Sequence, residues 1–246
     1  MSEINIENKN YEIVVIGMGY VGLTYSLHFN SLGYTVTGIE KNTKTKELIN
    51  NRILPFFEEG IEGMLNKYVQ KGLLKVQIPE EFINSLSKKN KIYVVTVGTP
   101  IKDGILNRMH IDAVKNFLIK VVNKDDAIIL RSTVPIGLTR NFCNSFKENI
   151  YYCFAPERTI EGKAILELSS LPQIFGCNDD RSRVFFRQFL QKVSNEVLEV
   201  SSTESAELVK LTSNVYRDVI FGFSNEISLI AYNNKLNSKE IIEACN

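Results

Sequence analysis

A glycine-rich turn between an apolar run and a helical segment constrains the fold of this chain more than any other feature. The residues that follow the apolar run 13–16 and open the helical segment are Gly17, Met18, Gly19, Tyr20, Val21 and Gly22. A strand, a tight glycine turn and a helix in this order form the fingerprint of a dinucleotide-binding unit. The three glycines permit the turn, the approach of a pyrophosphate and close helix–strand packing. The helix N-terminus then offers N–H groups to the phosphates.

A carboxylate follows this turn at the spacing that a dinucleotide site requires. A second apolar run, residues 34–39, ends in Glu40, which lies 23 residues after Gly17. At this place an acid can accept both ribose hydroxyls of NAD. Lys41, Lys44 and Lys46 could indicate the 2′-phosphate of NADP, but Glu40 would repel that phosphate. We therefore expect NAD as the cofactor and a solvated helix start for the lysines; the alternative is a glycine turn without a ligand.

The composition excludes several classes of function. A net charge of +1 gives no indication of binding to nucleic acid or to an anionic membrane. No apolar run approaches the length of a membrane span, and the polar first ten residues carry no secretory signal. We therefore expect a cytoplasmic protein. We also expect no metal site, because the cysteines lack metal-ligand spacing and should be reduced thiols; they are Cys143, Cys153, Cys177 and Cys245.

Strand-like and helical segments alternate through most of the chain. The predicted strands are residues 12–16, 35–39, 92–97, 127–131, 151–154, 173–176 and 197–200. Predicted helices between them include residues 20–32, 43–50, 61–71, 111–121 and 181–192. Such alternation is typical of a parallel sheet with helices on both faces. We therefore predict an α/β fold with a Rossmann-type, doubly wound, mainly parallel sheet.

The pattern changes after residue 202, where residues 203–234 predict one long helix and residues 238–244 a short one. Apolar residues occupy two neighbouring faces of the long helix: Leu208, Leu211, Val215, Val219 and Phe223 on one, and Ile220, Ile227 and Ile230 on the other. A helix that is apolar on more than one face is typical of burial between subunits or domains. We therefore expect a homodimer formed through residues 203–234.

Polar loops follow three of the predicted strands. They comprise residues 98–100, 131–137 and 155–163. In open α/β sheets, ligands bind beyond the carboxyl ends of the strands, so these loops describe the wall of a site. On the long helix, Lys210, Asn214 and Arg217 share one face. From spacing alone, this face could equally be a solvated surface. Lys210 could also simply pair with Glu207, three residues earlier.

Four motifs together resemble the UDP-glucose/GDP-mannose dehydrogenase family. They are residues 17–23, the Ser-Thr-Val-Pro-Ile-Gly loop 132–137, the Pro-Glu-Arg-Thr-Ile-Glu-Gly-Lys-Ala segment 156–164 and the Ala-Glu-Leu-Val-Lys-Leu-Thr-Ser-Asn segment 206–214. They stand in the family's order and span nearly the whole chain. The resemblance implies an NAD-dependent oxidoreductase that oxidises C6 of a UDP-sugar twice, from alcohol to aldehyde to carboxylate, for polysaccharide precursor synthesis. A cysteine thiolate of such enzymes captures the aldehyde, which is covalent catalysis.

The resemblance also implies roles for individual residues. Beside the glycines, Tyr20 and Val21 would contact the NAD pyrophosphate, Glu40 the adenosine ribose, and Thr99 and Thr133 the nicotinamide half. The implied catalytic residues are Lys210, which would stabilise the developing oxyanion, Asn214, which would orient water or oxygen, and Glu161, which would order a water or proton relay. The implied substrate-binding residues are Arg158, Thr159, Lys210, Asn214 and Arg217. Arg158, Thr159 and Arg217 match the N-acetylmannosamine branch, so we expect UDP-N-acetylmannosamine, with UDP-glucose as the alternative substrate.

The family's pattern is incomplete in this sequence. Its Gly-Gly-His-Cys segment, which carries the nucleophile, and its carboxyl-terminal UDP-binding domain have no counterpart here. Cys245 matches a helical position before that segment, so we assign none of the four cysteines as catalytic. We expect residues 1–202 to form the NAD-binding domain and 203–246 the start of a central helical domain. The expectation is an amino-terminal fragment that is inactive alone; the alternatives are a non-catalytic NAD-binding module and, less well matched, a hydroxyacid dehydrogenase.

Overall fold

The computed structural model describes residues 11–146, 149–160, 162 and 164–245. Its strands are β1 (Tyr11–Ile16), β2 (Val36–Ile39), β3 (Leu74–Gln77), β4 (Asn90–Val95), β5 (Ile101–Lys102), β6 (Ile105–Leu106), β7 (Ala127–Leu130), β8 (Tyr151–Phe154), β9 (Gln173–Gly176) and β10 (Val197–Val200). Its helices are α1 (Tyr20–Ser31), α2 (Thr43–Asn50), α3 (Ile61–Gln70), α4 (Pro79–Asn84), α5 (Met109–Val121), α6 (Leu138–Cys143), α7 (Ala164–Ser170), α8 (Asp180–Leu190), α9 (Thr203–Asn233) and α10 (Ser238–Cys245).

Within the described residues, eight strands form one sheet in the order β10-β9-β8-β7-β4-β1-β2-β3, and β5 pairs with β6 in a small hairpin. From β1 the chain builds β2 and β3 on one side, then returns to build β4, β7 and β8 on the other. All these pairings are parallel. The sheet therefore reverses its direction of growth beside β1, where doubly wound folds place a ligand. The predicted fold class, a doubly wound sheet followed by a long helix, is confirmed.

The order of segments did not reveal the direction of β9. This strand pairs with β8 in the antiparallel sense, and β10 then runs parallel to β9. Alternation of strands and helices predicts parallel neighbours in general, but it does not encode the direction of a given strand. Several short elements were not predicted either; β3, α4, α6 and α7 are each only four to seven residues long. Elements this short contain too few residues for a clear periodicity.

Successive residues of β1 face opposite sides of the sheet, as the two-residue period of a strand requires. Ile13 and Val15 belong to one buried cluster, which includes residues of α1 and α8, while Val14 and Ile16 belong to a second, which includes residues of α5. Both faces of the sheet are therefore covered, which is why its strands read as nearly continuous apolar runs.

The turn after β1 can be built only with glycine at two positions. Gly17 has a φ of +93°, which L-residues rarely adopt. A Cβ on Gly22 would lie 1.8 Å from the carbonyl oxygen of Gly17. Helix α1 thus packs on the turn backbone itself. By contrast, a Cβ on Gly19 would meet no atom within 4 Å.

The chain divides into two compact units, one ending at Glu207 and the other beginning at Leu208. The first contains the sheet, its covering helices and the first residues of α9. The second contains the rest of α9 and α10, and its side chain with the least exposure is Ala231. None of the helices in the described part of the chain is long and apolar enough to cross a membrane.

We expect Gly22→Ala to destabilise the protein by about 1–3 kcal/mol, because the added methyl group cannot fit against the Gly17 carbonyl. Gly19→Ala is the matched control, since its methyl group points into open space. Urea denaturation of both variants measures the difference. Equal stabilities would show that close packing of the turn does not constrain residue 22.

Candidate functional site

A cavity of about 710 Å³ lies at the carboxyl ends of β1, β2 and β4. Its polar floor comes from the glycine turn and the loop after β4, and its apolar side from α5 and the start of α4. The lining residues are Ile16, Gly17, Gly19, Ile39, Glu40, Lys41, Pro79, Thr96, Val97, Gly98, Thr99, Pro100, His110, Ala113, Val114 and Phe117. A cleft with one polar wall and one apolar wall matches a ligand that has both phosphates and a flat ring.

The glycine turn leaves room for a ligand at its second glycine. The backbone N–H of Gly17 donates to the carbonyl of Ile39 at 2.8 Å, which fixes the turn to the end of β2. Gly19, where an added Cβ would meet nothing, lines the cavity. Gly19 is also the N-cap of α1, and it has no side chain that could cap the helix. The N-terminal turn of α1, which begins with Tyr20 and Val21, therefore starts beside the cavity. This arrangement fits a pyrophosphate.

Glu40 is held rigidly at the end of β2. Its Oε2 accepts the backbone N–H of Met18 at 2.9 Å, and its Oε1 accepts that of Asn42 at 2.8 Å. Each carboxylate oxygen has a second lone pair, so both can accept a further hydrogen bond. Glu40 therefore links the glycine turn to β2 and still presents acceptors to the cavity.

The lysines near Glu40 have separate partners. Lys41 lies 3.0 Å from Nδ1 of His110, across the mouth of the cavity. Lys46 forms an ion pair with Glu81 at 2.8 Å. Lys41 and Lys46 are therefore not gathered around one point, as a 2′-phosphate site would require.

Hydrogen bonds bring the loops after β4 and β7 together. The hydroxyl of Thr99 donates to the carbonyl of Thr133 at 2.6 Å, and that of Ser132 donates to the carbonyl of Val97 at 2.7 Å. The structure thus places Thr99 and Thr133 side by side, with Thr99 lining the cavity.

A buried ion pair connects the loop after β7 to the loop after β8. Arg131, which is 2% exposed, contacts Oε2 of Glu157 at 2.8 Å, and its guanidinium lies over the ring of Tyr25. It also donates to Oε1 of Gln173 at 3.1 Å. Burial alone would raise the pKa of the Glu157 carboxyl, but Arg131 and the N–H of Thr159 stabilise its charged form, so that the pKa lies below its usual range.

The other oxygen of Glu157 holds residues of the loop after β8. We call residues 156–164 the candidate substrate loop, because the resemblance implies substrate-binding residues there. Oε1 of Glu157 accepts the backbone N–H groups of Arg158 and Thr159, both at 2.8 Å. The side chains of Arg158 and Thr159 are half-buried. Glu161 lies outside the described residues. The loop is therefore positioned by Glu157, which is itself held by Arg131.

A second buried acid anchors the start of α9. Glu207 accepts the N–H of Gly137 at 2.5 Å and the N–H and hydroxyl of Thr139 at 2.8 and 2.5 Å. These donors belong to the end of the loop after β7 and to α6. Burial raises the pKa of the Glu207 carboxyl despite these bonds.

Lys210, Asn214 and Arg217 follow on α9 within the second compact unit. Their spacing of four and three residues places them on one face of that helix. Lys210 is half-buried, and Asn214 and Arg217 are exposed. The roles that the resemblance implies for them stay predictions.

A family model agrees with this geometry. The model of the UDP-glucose/GDP-mannose dehydrogenase family, NAD binding domain, matches residues 11–196, which include the whole sheet except its last strand. The chain belongs to this family. Its cofactor is accordingly NAD, as predicted from Glu40 and the glycine turn.

The family's curated and solved members support the same placement. The chain is 26% identical to the UDP-N-acetyl-D-mannosamine dehydrogenase of Pyrococcus horikoshii, over 95% of this chain and 57% of the relative. The structure of that P. horikoshii enzyme superposes with a TM-score of 0.86, again over 95% of this chain and 57% of the other. GDP-mannose dehydrogenase from Pseudomonas aeruginosa also superposes with a TM-score of 0.86, over 95% of this chain and 56% of that one, and at 23% identity shows the shared fold. The chain thus spans somewhat more than half the length of these relatives.

The cysteines of this family member are free thiols in the described structure. Cys143, Cys153 and Cys177 are buried, and Cys245 is exposed. Burial raises the pKa of the Cys143 and Cys153 thiols well above the usual range, which disfavours the reactive thiolate. Among the residues that the structure describes, no group of three or more His, Cys, Asp or Glu side chains could hold a metal ion.

Sequence reasoning did not assign the residues that hold the site together. Arg131 and Glu157 stood in the quoted loops, yet neither received a role, because their pairing joins positions 26 residues apart. The sequence does show that Arg131 is a charged residue directly after an apolar run. It does not show that the side chain of Arg131 is buried.

We expect Arg131→Met to lower the free energy of unfolding by about 3–5 kcal/mol at neutral pH, because it leaves the Glu157 carboxylate buried without its cation. The control is Arg140→Met, which removes the exposed ion pair with Glu204 and should cost about 0–1 kcal/mol. Urea denaturation measures both.

The pH dependence of this difference has a definite sign. Because the folded-state pKa of Glu157 is lowered, its contribution is present above the usual carboxyl pKa and is lost as pH falls through the folded value. In Arg131→Met the buried carboxyl instead protonates readily. The stability gap between wild type and variant should therefore narrow in acid, and a constant gap would contradict the ion-pair account.

Proposed function

We propose that this chain is the NAD-binding part of a nucleotide-sugar 6-dehydrogenase that converts UDP-N-acetylmannosamine to UDP-N-acetylmannosaminuronate in two successive oxidations. The observation that carries the proposal is that the loops after β4, β7 and β8 contact one another in sequence, and that the loop after β4 lines the cavity together with the glycine turn. Thr99 joins the first two loops, and the Arg131–Glu157 pair joins the last two. A cofactor cleft and a loop of substrate-binding character thus share one edge of the sheet.

In this proposal the cofactor lies along the cavity. The N-terminus of α1, from Tyr20 and Val21, holds the pyrophosphate, and Glu40 accepts the hydroxyls of the adenosine ribose. Thr99 and Thr133 line the nicotinamide end. NAD supplies the hydride acceptor for both oxidations.

The substrate end of the proposal rests on the loop after β8. Arg158 and Thr159 contact the sugar, and Arg217 on α9 contributes a second cation. Support comes from the P. horikoshii relative, which is named for UDP-N-acetyl-D-mannosamine. A UDP-glucose 6-dehydrogenase is the competing specificity, and it would need no arginine at 158 or 217.

The proposed catalytic groups act on charge and on protons. Lys210 stabilises the oxyanion that develops at C6, since a cation beside developing negative charge lowers the barrier most in a water-poor site. Asn214 orients the attacking oxygen, and Glu161 orders the water or proton relay.

We also propose a homodimer formed through residues 203–234. Large apolar side chains of α9 are strongly exposed in the single chain, among them Val215, Tyr216, Val219, Phe221, Phe223, Leu229 and Ile230. An apolar surface of this extent is typical of an interaction site. The division into an NAD-binding domain, residues 1–202, and the start of a helical domain, residues 203–246, belongs to the same proposal. Free buried thiols fit a reducing compartment, and we place the protein in the cytoplasm.

Calorimetric titration and NADH absorbance test the proposed reaction. The protein is titrated with NAD, and then, with NAD bound, with UDP-N-acetylmannosamine or UDP-glucose. Because we expect this chain to be inactive alone, the sugar titrations are made after adding the separately expressed carboxyl-terminal part of a relative. Formation of NADH from the first sugar in that mixture supports the proposal, and preference for UDP-glucose supports the competing specificity. NAD binding without NADH formation from either sugar in that mixture indicates a non-catalytic NAD-binding module.

We expect Glu40→Ala to weaken NAD binding by about 1–3 kcal/mol, or roughly 5- to 150-fold in Kd, because the ribose loses charged hydrogen bonds. Discrimination against NADP should fall as well, since the charge that repels the 2′-phosphate is removed. Glu47→Ala, an exposed acid on α2, serves as the control. Unchanged NAD affinity in Glu40→Ala would count against this placement of the cofactor.

We expect Val219→Lys to convert the dimer to a monomer. Val219 is 61% exposed on α9 in the single chain, so the substitution costs little in the monomer but places a charge in an apolar interface. The control is Asn225→Lys, which adds the same side chain at an exposed polar position outside the two apolar faces of that helix. Sedimentation at tens of micromolar decides the matter, and a monomeric wild type would exclude the dimer.

A further inference from the structure

The buried carboxylate of Glu58 joins the cofactor turn to the candidate substrate loop. Glu58 lies in the irregular segment between α2 and α3 and is 3% exposed. Its Oε2 accepts the hydroxyl of Tyr20 at 2.6 Å and the backbone N–H of Gly162 at 2.7 Å. Its Oε1 accepts the N–H of Ala164 at 2.9 Å. A single side chain thus contacts two parts of the chain that are more than a hundred residues apart.

The Tyr20 hydroxyl closes this arrangement into a ring. It donates to Glu58 and also accepts the N–H of Gly162 at 3.0 Å. The Tyr20 ring packs against Phe56 of the same irregular segment, with 5.1 Å between ring centroids. Tyr20 is the first residue of α1, so its backbone lies in the turn proposed to hold the pyrophosphate, while its side chain reaches the loop after β8.

The candidate substrate loop is therefore held at both ends by buried carboxylates. At its start, Glu157 accepts the N–H groups of Arg158 and Thr159. At its end, Glu58 accepts those of Gly162 and Ala164. Arg131 supports the first anchor, and the hydroxyl of Tyr20 supports the second. The second anchor is the one that reaches the cofactor turn.

We propose that Glu58 is a positioning residue that couples occupancy of the NAD site to the order of the substrate loop 156–164, with the Tyr20 hydroxyl as the connecting group. The inference rests on the proposed function, because it takes NAD at the N-terminus of α1 and the sugar at this loop. NAD fixes the backbone of Tyr20, Tyr20 fixes the Glu58 carboxylate, and Glu58 fixes the amides of Gly162 and Ala164. Coupling of this kind is reciprocal, so an ordered loop also favours NAD binding.

Two conservative variants separate coupling from simple stability. Tyr20→Phe removes the connecting hydroxyl but leaves Glu58 on the amides of Gly162 and Ala164. Glu58→Gln weakens the anchor, because one of the two carboxylate oxygens becomes an NH₂ group that cannot accept the N–H group bound there. The control is Glu59→Gln, which changes the neighbouring and exposed acid in the same way.

Hydrogen exchange of the loop peptide, with and without saturating NAD, is the measurement. In the wild type and Glu59→Gln, NAD should slow exchange in residues 156–165 by about fivefold, the lower end of ordinary coupling between sites. In Tyr20→Phe, exchange without NAD should rise only slightly, because Glu58 still accepts both loop amides, and the NAD-dependent slowing should disappear. In Glu58→Gln, exchange should be faster than in the wild type in both conditions, because one of the two loop amides loses its acceptor. A merely structural role for Tyr20 would not remove the NAD-dependent difference.

The possible failures are distinguishable. If the wild type binds NAD but its loop exchanges at the same rate with and without it, the coupling is overturned while the proposed function stands. The same holds if NAD slows exchange equally in wild type and Tyr20→Phe. If calorimetry shows that NAD does not bind the wild type, the proposed function and the coupling both fail. Should Glu58→Gln not fold, the comparison of Tyr20→Phe with wild type still decides.

Discussion

The buried ion pair between Arg131 and Glu157 is the interaction on which the candidate site depends. Transfer of a guanidinium or a carboxylate out of water costs several kcal/mol of hydration free energy for each group. The attraction between the two charges compensates for this cost only when further hydrogen bonds satisfy both groups. Here Arg131 also contacts Gln173 and the face of Tyr25, and Glu157 accepts two backbone N–H groups. The pair therefore requires β7, α1, β9 and the loop after β8 to be in place together. The positions of the site residues are therefore fixed by the packing of these elements on the sheet, and not by one loop alone.

The same device recurs at the carboxyl edge of the sheet. Loops there have backbone N–H groups with no strand or helix partner, and burying such groups without an acceptor is costly. In each of four places a glutamate carboxylate accepts two of these N–H groups, and the acceptors are Glu40, Glu58, Glu157 and Glu207. An ionised carboxylate suits this role because it only accepts hydrogen bonds. The loops that surround the cofactor cavity are thereby fixed to one another.

The sequence predicted those parts of the site whose signal is local. The glycine turn and most strands were predicted because their spacing and apolar runs lie within about forty residues, and the same spacing pointed to Glu40, which lines the cavity. Glu58 and Arg131 could not be predicted in the same way. Glu58 stands beside Glu59 in an irregular segment, and nothing in the order of residues shows that one is buried and the other exposed. Its partners Gly162 and Ala164 are defined by the packing of α7 near α1, which is a tertiary property. The antiparallel β9 was missed for a similar reason, since strand direction depends on where the chain returns to the sheet.

Two of these glutamates have pKa values shifted in opposite directions, and a neighbouring cation is the main difference between their surroundings. Glu157 has a cation beside it, so its charged form is favoured and its pKa is lowered. Glu207 has three hydrogen-bond donors and no ion pair among those of the described residues, and burial prevails, so its pKa is raised. The folded state binds a proton on Glu157 more weakly than the unfolded chain does, so protonation of Glu157 in acid weakens the anchoring of the candidate substrate loop. The folded state binds a proton on Glu207 more tightly than the unfolded chain does, so protonation of Glu207 does not lower the free energy of unfolding. As pH falls, acid should therefore weaken the anchoring of the loop after β8 but not that of the junction of α6 and α9.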